Sequence, residues 1–175
     1  MYQKYFKRPL DFIMALFGLI VLSPLMLVIA ILVRIKLGSP VIFKQPRPGL
    51  NEKIFTLYKF RTMTDERNEK GELLPDEVRL TPFGKWLRST SLDELPELWN
   101  ILKGDMAFVG PRPWIPSQMA AFPPNYCRKR CSVRPGITGM AQIHGRNGIP
   151  FCRRLCYDLI YVQNVNLRMD LSLLF

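Results

Sequence analysis

Asp93 and Glu94 are adjacent carboxylates in the stretch Ser91-Leu92-Asp93-Glu94 and are the residues here that point most directly to chemistry. The same order reads as a helix start, with Ser91 as N-cap and Glu94 closing a capping box. Capping accounts for Glu94 but not for Asp93, which is merely favourable near a positive helix end. Basic residues recur in motifs rich in turn-forming neighbours: Lys59 and Arg61 in YKFRTM, Arg88 in LRSTSLDE, Arg112 in GPRP and Arg146 in HGRN. A guanidinium presents a planar fork that matches phosphate oxygens. Any one of these arginines is more simply a solvated side chain. Gathered beside a carboxylate pair, they point to a diphosphate substrate. A divalent metal, magnesium first, lets carboxylates and phosphates share one site, with Asp93 and Glu94 as its protein ligands.

Other chemistries are excluded or weakly supported. The chain has neither a Walker P-loop nor a dinucleotide-binding glycine fingerprint. Its one histidine, His144, excludes a histidine-rich metal site; it reads as a hydrogen-bonding loop residue, with substrate contact as the alternative. A net charge of +11 on a chain that is 48% hydrophobic fits an anionic membrane surface or phosphorylated substrates. No nucleic-acid-binding signature accompanies the charge, so nucleic acid is not an expected partner. Cys127 and Cys131, and Cys152 and Cys156, lie in basic stretches that read as helical. They read as small side chains on a helix face, with a structural metal as the alternative.

The elements that position these residues start with an apolar run. Residues 12–33, FIMALFGLIVLSPLMLVIAILV, carry no charge, and about 20 such residues suffice to cross a bilayer core. Ser23-Pro24 sits near the middle. Proline removes a backbone donor and bends a helix, and the Ser23 hydroxyl is at hand for the freed carbonyl. Basic residues flank both ends: Lys4, Lys7 and Arg8 before, Arg34, Lys36 and Lys44 after. Positive residues favour the cytoplasmic side. A kinked single span leaves one cluster outside, whereas a re-entrant hairpin broken at Ser23-Pro24 keeps both inside. The residues leave both open.

The remainder of the 175-residue chain reads as one globular unit over residues 37–175, after a membrane unit over 1–36. Val41-Ile42-Phe43 and Ile54 to Tyr58 are short β-prone runs around a turn-rich QPRPGLNEK loop. Residues 64–78 form a polar surface loop. Thr81-Pro82 opens a helix, and a second helix runs from Ser91 to about Lys103, stopped by Gly104. Residues 108–116 and 134–150 read as loops. Residues 155–175 read either as interfacial amphipathic helices or as ordinary core packing. The fold class is α+β, mainly helical, with a short β-hairpin and a helix-break-helix membrane element.

KFRTM, RSTSLDELPELWNILKGDMAFVGPRP and RPGITGMAQIHGRN resemble the bacterial sugar transferase family, the monotopic phosphoglycosyl transferases. The likeness covers nearly the whole chain, which looks like the family's minimal catalytic core. It implies that Asp93 attacks the phosphorus bearing the sugar of a UDP-sugar, releasing UMP and forming a covalent phosphosugar. Polyprenyl (undecaprenyl) phosphate then takes the sugar-phosphate. Glu94 positions magnesium or assists proton transfer; Lys59, Arg88 and Arg112 meet phosphate, Gln142 and Arg146 the nucleotide side, and Arg61 is a further substrate-binding residue. The resemblance also implies a re-entrant N-terminal hairpin in the bacterial inner membrane, with the active site facing the cytoplasm and membrane lipids as partners. A homodimer is compatible with it, and sugar choice is assigned to segments 64–78 and 114–130. Two rivals remain. A polytopic transferase acting without a covalent intermediate needs more apolar segments. A membrane-bound basic adaptor, binding anionic lipid or nucleic acid, needs no Asp93 carboxylate.

Overall fold

A one-turn helix, α1 (Tyr2–Tyr5), leads into the dominant element, α2 (Lys7–Leu37). The computed structural model describes residues 1–145 and 148–174. The helix runs without interruption across Ser23-Pro24, where the sequence implied two helices and a break. Pro24 cannot donate to the Ile20 carbonyl, and the Ser23 hydroxyl donates to it instead at 2.8 Å. That substitution keeps the backbone satisfied through the proline. Buried residues on α2 recur at four-residue intervals, Lys7, Asp11 and Ala15, then Ile29, Val33 and Leu37. One stripe faces the protein. The opposite face exposes Phe17, Ile20, Leu27 and Ile35, each more than 60% exposed, a surface suited to lipid rather than water.

β1 (Ile42–Pro48) and β2 (Ile54–Phe60) form the expected antiparallel hairpin, with Phe43 opposite Lys59. β1 extends through Gln45–Pro48, read from sequence as loop. In a two-stranded sheet one side of β1 needs no partner, so Pro46 and Pro48 are tolerated there. The polar segment 64–78 is mostly exposed, but its last three residues, read as loop, belong to α3 (Asp76–Arg79), which α4 (Pro82–Ser89) follows. Thr81 caps α4 as expected, its hydroxyl accepting from Gly84 N at 3.1 Å.

The second expected helix is corrected. Ser91 adopts a left-handed conformation (φ 55°) and its side chain makes no capping bond. Residues Leu92–Glu94 form a 3₁₀ turn, and α5 (Glu97–Lys103) begins only after Pro96. A proline inside the proposed helix cannot supply an interior donor, so the helix starts behind it. Gly104 ends α5 in a left-handed conformation (φ 91°), as read.

The two segments read as loops hide a second sheet. β3 (Ala107–Val109) pairs in parallel with β4 (Gly136–Thr138), Ala107 opposite Gly136 and Val109 opposite Thr138. A Cβ on Gly136 would lie 2.1 Å from the Gly110 nitrogen, so only glycine permits this approach. Between the strands lie α6 (Pro116–Met119) and α7 (Pro124–Arg130), and α8 (Met140–Ile143), α9 (Phe151–Gln163) and α10 (Leu167–Leu174) follow.

Three apolar clusters hold these parts together. Ala15 of α2 packs with Leu57, Leu98, Ile101 and Met106. Ile29, Val33 and Leu37 pack with Phe60 and Leu87, flanked by Leu92 and Leu95 around the 3₁₀ turn. Val109, Val133, Tyr161 and Leu173 form the third, so the C-terminal helices contribute core as well as surface. Polar ties add direction. Lys7 and the Tyr2 hydroxyl both donate to Asp170 Oδ2, at 2.5 and 2.7 Å. Arg8 donates to the Ile101 and Leu102 carbonyls at the end of α5, at 2.7 Å each.

Candidate active site

The Asp93-Glu94 turn is fixed on the side of α2 where Leu92 and Leu95 join the second cluster. The left-handed turn at Ser91 directs both carboxylates into a cavity of about 490 Å³. Lys59, Arg61, Arg88, Asp93, Glu94, Arg112 and Gln142 all line it. Arg146 lies outside the described residues.

β2 and α5 place Lys59. Buried Asn100 of α5 donates to the Thr56 carbonyl at 2.7 Å and accepts from Tyr58 N at 3.1 Å, locking strand to helix. Lys59 Nζ then lies 2.7 Å from Glu94 Oε1 and 3.0 Å from Glu97 Oε1. Arg112, on the loop after β3, donates to the same Glu94 oxygen at 2.5 Å. Burial pushes Glu94 up, but the hydrogen bonds and charges of Arg112 and Lys59 outweigh it and bring its pKa down to about 2. Glu94 is therefore a firmly ionised anchor for two cations.

Asp93 differs. It is buried (7% exposed) and among the described residues makes no ion pair. Burial raises its pKa above the ordinary aspartate value; Lys59 and Arg88 oppose this, and Glu94 adds to it. The result is a desolvated carboxylate in a cationic surround, without an ion-pair partner among the described residues. A carboxylate of this kind can serve as a nucleophile when ionised.

The other expected phosphate contacts divide into two kinds. Arg88 Nε donates to Thr62 Oγ1 at 3.0 Å, and the residue faces the cavity. Arg61 is committed to structure: it donates to the Ser39 and Met63 carbonyls and pairs with Asp65 at 2.5 Å. His144 keeps the local role read for it, its Nδ1 lying 2.8 Å from the Met140 carbonyl.

Sequence reasoning missed several members. Glu97, 2% exposed, lies in the first turn of α5 and was not singled out from sequence. Arg47 reaches the cavity from β1, donating to the Pro113 carbonyl at 2.8 Å. Asp158 of α9 pairs with Arg130 of α7 at 2.7 Å, both 2% exposed at the side chain, and Arg130 lies over the Trp114 ring at 4.1 Å. Arg130 also donates to the Arg112 carbonyl. A signal was present in the RKR and YDL runs, but the pairing joins segments too far apart for any local pattern.

The four cysteines are free: Cys127 and Cys131 are buried, Cys152 and Cys156 exposed. Among the described residues no cluster of three metal-ligating side chains occurs. For magnesium the donor chemistry favours one protein carboxylate rather than two. Glu94 is engaged by Lys59 and Arg112, whereas Asp93 has no ion pair among the described residues. Magnesium is commonly held by one or two carboxylates with substrate phosphates, and Asp93 fits that description.

Comparison with known proteins identifies the family. Residues 2–175 match the family described as bacterial sugar transferase. EpsL of Bacillus subtilis, an uncharacterized sugar transferase, is 51% identical over 96% of this chain and 83% of its own length. The UDP-glucose:undecaprenyl-phosphate glucose-1-phosphate transferase of Klebsiella pneumoniae is 41% identical over 97% of this chain. The undecaprenyl-phosphate galactose phosphotransferase of Salmonella typhimurium is 35% identical over 99% of it. The chain spans only 38% and 40% of those last two proteins.

Proposed function

This chain belongs to the bacterial sugar transferase family, and on that premise we propose that it moves a sugar-1-phosphate from a UDP-sugar to polyprenyl phosphate through a phosphosugar intermediate on Asp93. The observation that carries this reading is the contrast within the carboxylate cluster. Glu94 and Glu97 are held by Lys59, and Glu94 also by Arg112, while Asp93 faces the same cavity without an ion pair among the described residues.

The donor diphosphate lies against Arg88, Arg112 and Lys59. An Asp93 carboxylate oxygen attacks the phosphorus bearing the sugar, and the bond from that phosphorus to the bridging oxygen breaks. UMP leaves with the electron pair. An oxygen of polyprenyl phosphate then attacks the same phosphorus and returns Asp93 to its carboxylate form, giving polyprenyl diphosphate-sugar. Dividing one displacement into two keeps each step within reach of the same cations. Magnesium, held by Asp93 and the phosphates, would neutralise diphosphate charge so that an anionic nucleophile can approach. Glu94 keeps Arg112 and Lys59 in place beside the reacting phosphate.

The acceptor is a lipid, which gives α2 its purpose. Clusters before and after Pro24 pack on the same globular body. The basic ends do so too, Arg8 on the end of α5 and Lys36 over the Phe83 ring at 5.8 Å. This shared seat supports a re-entrant element with both ends on the cytoplasmic face of the inner membrane. The cavity then opens at headgroup depth, where the acceptor phosphate lies.

The test is transfer of labelled sugar-phosphate from UDP-glucose, UDP-galactose or UDP-N-acetylglucosamine to undecaprenyl phosphate by the purified chain with magnesium. Native protein transfers label from one of these donors and Asp93→Asn does not. Full activity in Asp93→Asn would remove the nucleophile assignment, and no transfer from any donor by the native protein would favour the adaptor reading.

A further inference from the structure

A second cavity, of about 370 Å³, lies at the start of α2 and shares no lining residue with the one that holds Asp93. Lys4, Lys7, Asp11 and Arg134 bring charge to it, and Leu50, Val133 and Val165 give it an apolar wall. The Asp93 turn belongs to the other end of the helix, where Leu92 and Leu95 pack with Ile29, Val33 and Leu37.

The charges divide into a frame and an available pair. Lys7 is buried against Asp170, at 2.5 Å. Asp11 is buried too, and its Oδ1 accepts from Phe108 N at 3.1 Å. Lys4 is exposed and makes no ion pair among the described residues; its ammonium lies over the Tyr5 ring, 5.2 Å from the centroid. Arg134 is half-buried, and its Nε donates to the Gly104 carbonyl at 2.8 Å. Its two terminal nitrogens have no partner among the described residues and are not among the buried unpaired atoms, so both can be reached. Arg8 donates to the Ile101 and Leu102 carbonyls of the same helix end. Two guanidiniums therefore converge on the end of α5, whose carbonyls give them partial negative charge but no full counterion.

The surroundings say where an anion comes from. Tyr5, Phe6 and Leu10, in the same turns as Lys4 and Lys7, are exposed. Aromatic rings among basic residues at the start of an apolar helix are the pattern of a bilayer–water interface. A headgroup phosphate at that depth meets the Arg134 fork and the Lys4 ammonium. The glycerol and first methylenes of the lipid meet Leu50, Val133 and Val165. A zwitterionic choline headgroup brings its own cation beside these two and is disfavoured.

We propose that this cavity binds the phosphate of an anionic membrane phospholipid through Arg134 and Lys4, and so fixes the first turns of α2 at headgroup depth. The proposal rests on α2 lying in a membrane and not on the transfer chemistry. The phospholipid held here cannot compete with the acceptor lipid, because the two cavities have separate linings.

The test is titration of the purified full chain in neutral detergent, read by thermal unfolding, with dioleoyl phosphatidylglycerol, dioleoyl phosphatidylcholine, undecaprenyl phosphate and glycerol phosphate as probes. Phosphatidylglycerol stabilises native protein; phosphatidylcholine and glycerol phosphate do not. Lys4→Gln and Arg134→Gln each weaken the apparent affinity for phosphatidylglycerol on the order of tenfold, the size of one charge-assisted hydrogen bond. Arg128→Gln removes an exposed charge of α7 outside the cavity and leaves that affinity within about twofold of native. Equal weakening in Arg128→Gln would reduce the effect to net charge and overturn the proposal, as would unchanged affinity in the two cavity variants or equal stabilisation by phosphatidylcholine. Stabilisation by glycerol phosphate, lost in Lys4→Gln, would assign the cavity to a soluble phosphate and overturn it. A preference for undecaprenyl phosphate that Lys4→Gln abolishes would assign the cavity to the acceptor, with the same consequence. If Arg134→Gln fails to fold, Lys4→Gln decides alone. Flotation with phosphatidylcholine vesicles tests the membrane seat separately: native protein that stays unbound would overturn that reading, whereas bound protein without a preference for phosphatidylglycerol overturns only this one.

Discussion

Replacing Lys59 with methionine keeps the aliphatic stem and removes the ammonium group that organises the carboxylate cluster. That group lies 2.7 Å from Glu94 and 3.0 Å from Glu97, whose side chains are 13% and 2% exposed. Glu94 keeps Arg112, but Glu97 is left as a buried carboxylate without its cation. Breaking one side of a buried pair costs about 3–5 kcal/mol. For a chain of 175 residues, each kcal/mol moves Tm by roughly 2–4 °C, so Tm falls by roughly 6–20 °C near neutral pH. The sign of the pH dependence follows from the same groups. Burial raises the Glu97 pKa and Lys59 is the largest opposing influence, so removing Lys59 raises it further. A carboxyl with a raised folded pKa costs nothing below its unfolded value, about 4.3, and progressively more as pH rises through it. Glu94 acts in the same sense. Its depressed pKa contributes stability above the unfolded value that is lost as pH falls toward about 2, and Lys59 supplies part of it. The Tm gap between variant and native protein is therefore widest near neutral pH and narrows toward about pH 4.5. Thermal unfolding in detergent across that range reads it. A gap of constant size would refute the claim that Lys59 acts by neutralising these carboxylates.

Three further outcomes follow from the same structure. Because burial raises the Asp93 pKa and the nucleophile must be ionised, the acid limb of the kcat/KM profile lies above the ordinary aspartate value of about 3.9; a limb at or below it would contradict the assignment. Gly136→Ala forces a Cβ to 2.1 Å from the Gly110 nitrogen, so thermal unfolding reports a loss of roughly 1–3 kcal/mol or more, together with reduced donor affinity through the displaced Arg112 loop. Single cysteines placed at Lys4 and Lys36, in a chain with its native cysteines replaced, are labelled by an impermeant thiol reagent from the same side of sealed membrane vesicles. Labelling from opposite sides would rule out the re-entrant seat.

Much of the site was legible because its parts are local. Asp93-Glu94, KFRTM and GPRP are contiguous motifs, and the apolar helix and hairpin follow from patterns of hydrophobic and β-prone residues. The Ser23 hydroxyl takes the Ile20 carbonyl because proline chemistry dictates which acceptor is freed. The capping box at Ser91 failed because a spacing rule cannot see the left-handed backbone or weigh Pro96 against it. The β3–β4 pair was illegible for a different reason. Each strand has three residues, sits among glycines and prolines, and finds its partner across a long separation. Glu97 and Asp158 are likewise ordinary helical acids in sequence, and only burial against Lys59 and Arg130 sets them apart.

The central claim is that Asp93 carries the phosphosugar. Its most direct measurement is single turnover of the purified chain with a UDP-sugar it accepts and magnesium, without polyprenyl phosphate, followed by acid trapping and peptide mass mapping. The account predicts UMP release roughly stoichiometric with protein and a sugar-phosphate mass on the peptide containing Asp93, both absent in Asp93→Asn. UMP release that waits for polyprenyl phosphate, with no adduct on the trapped native protein, would contradict it.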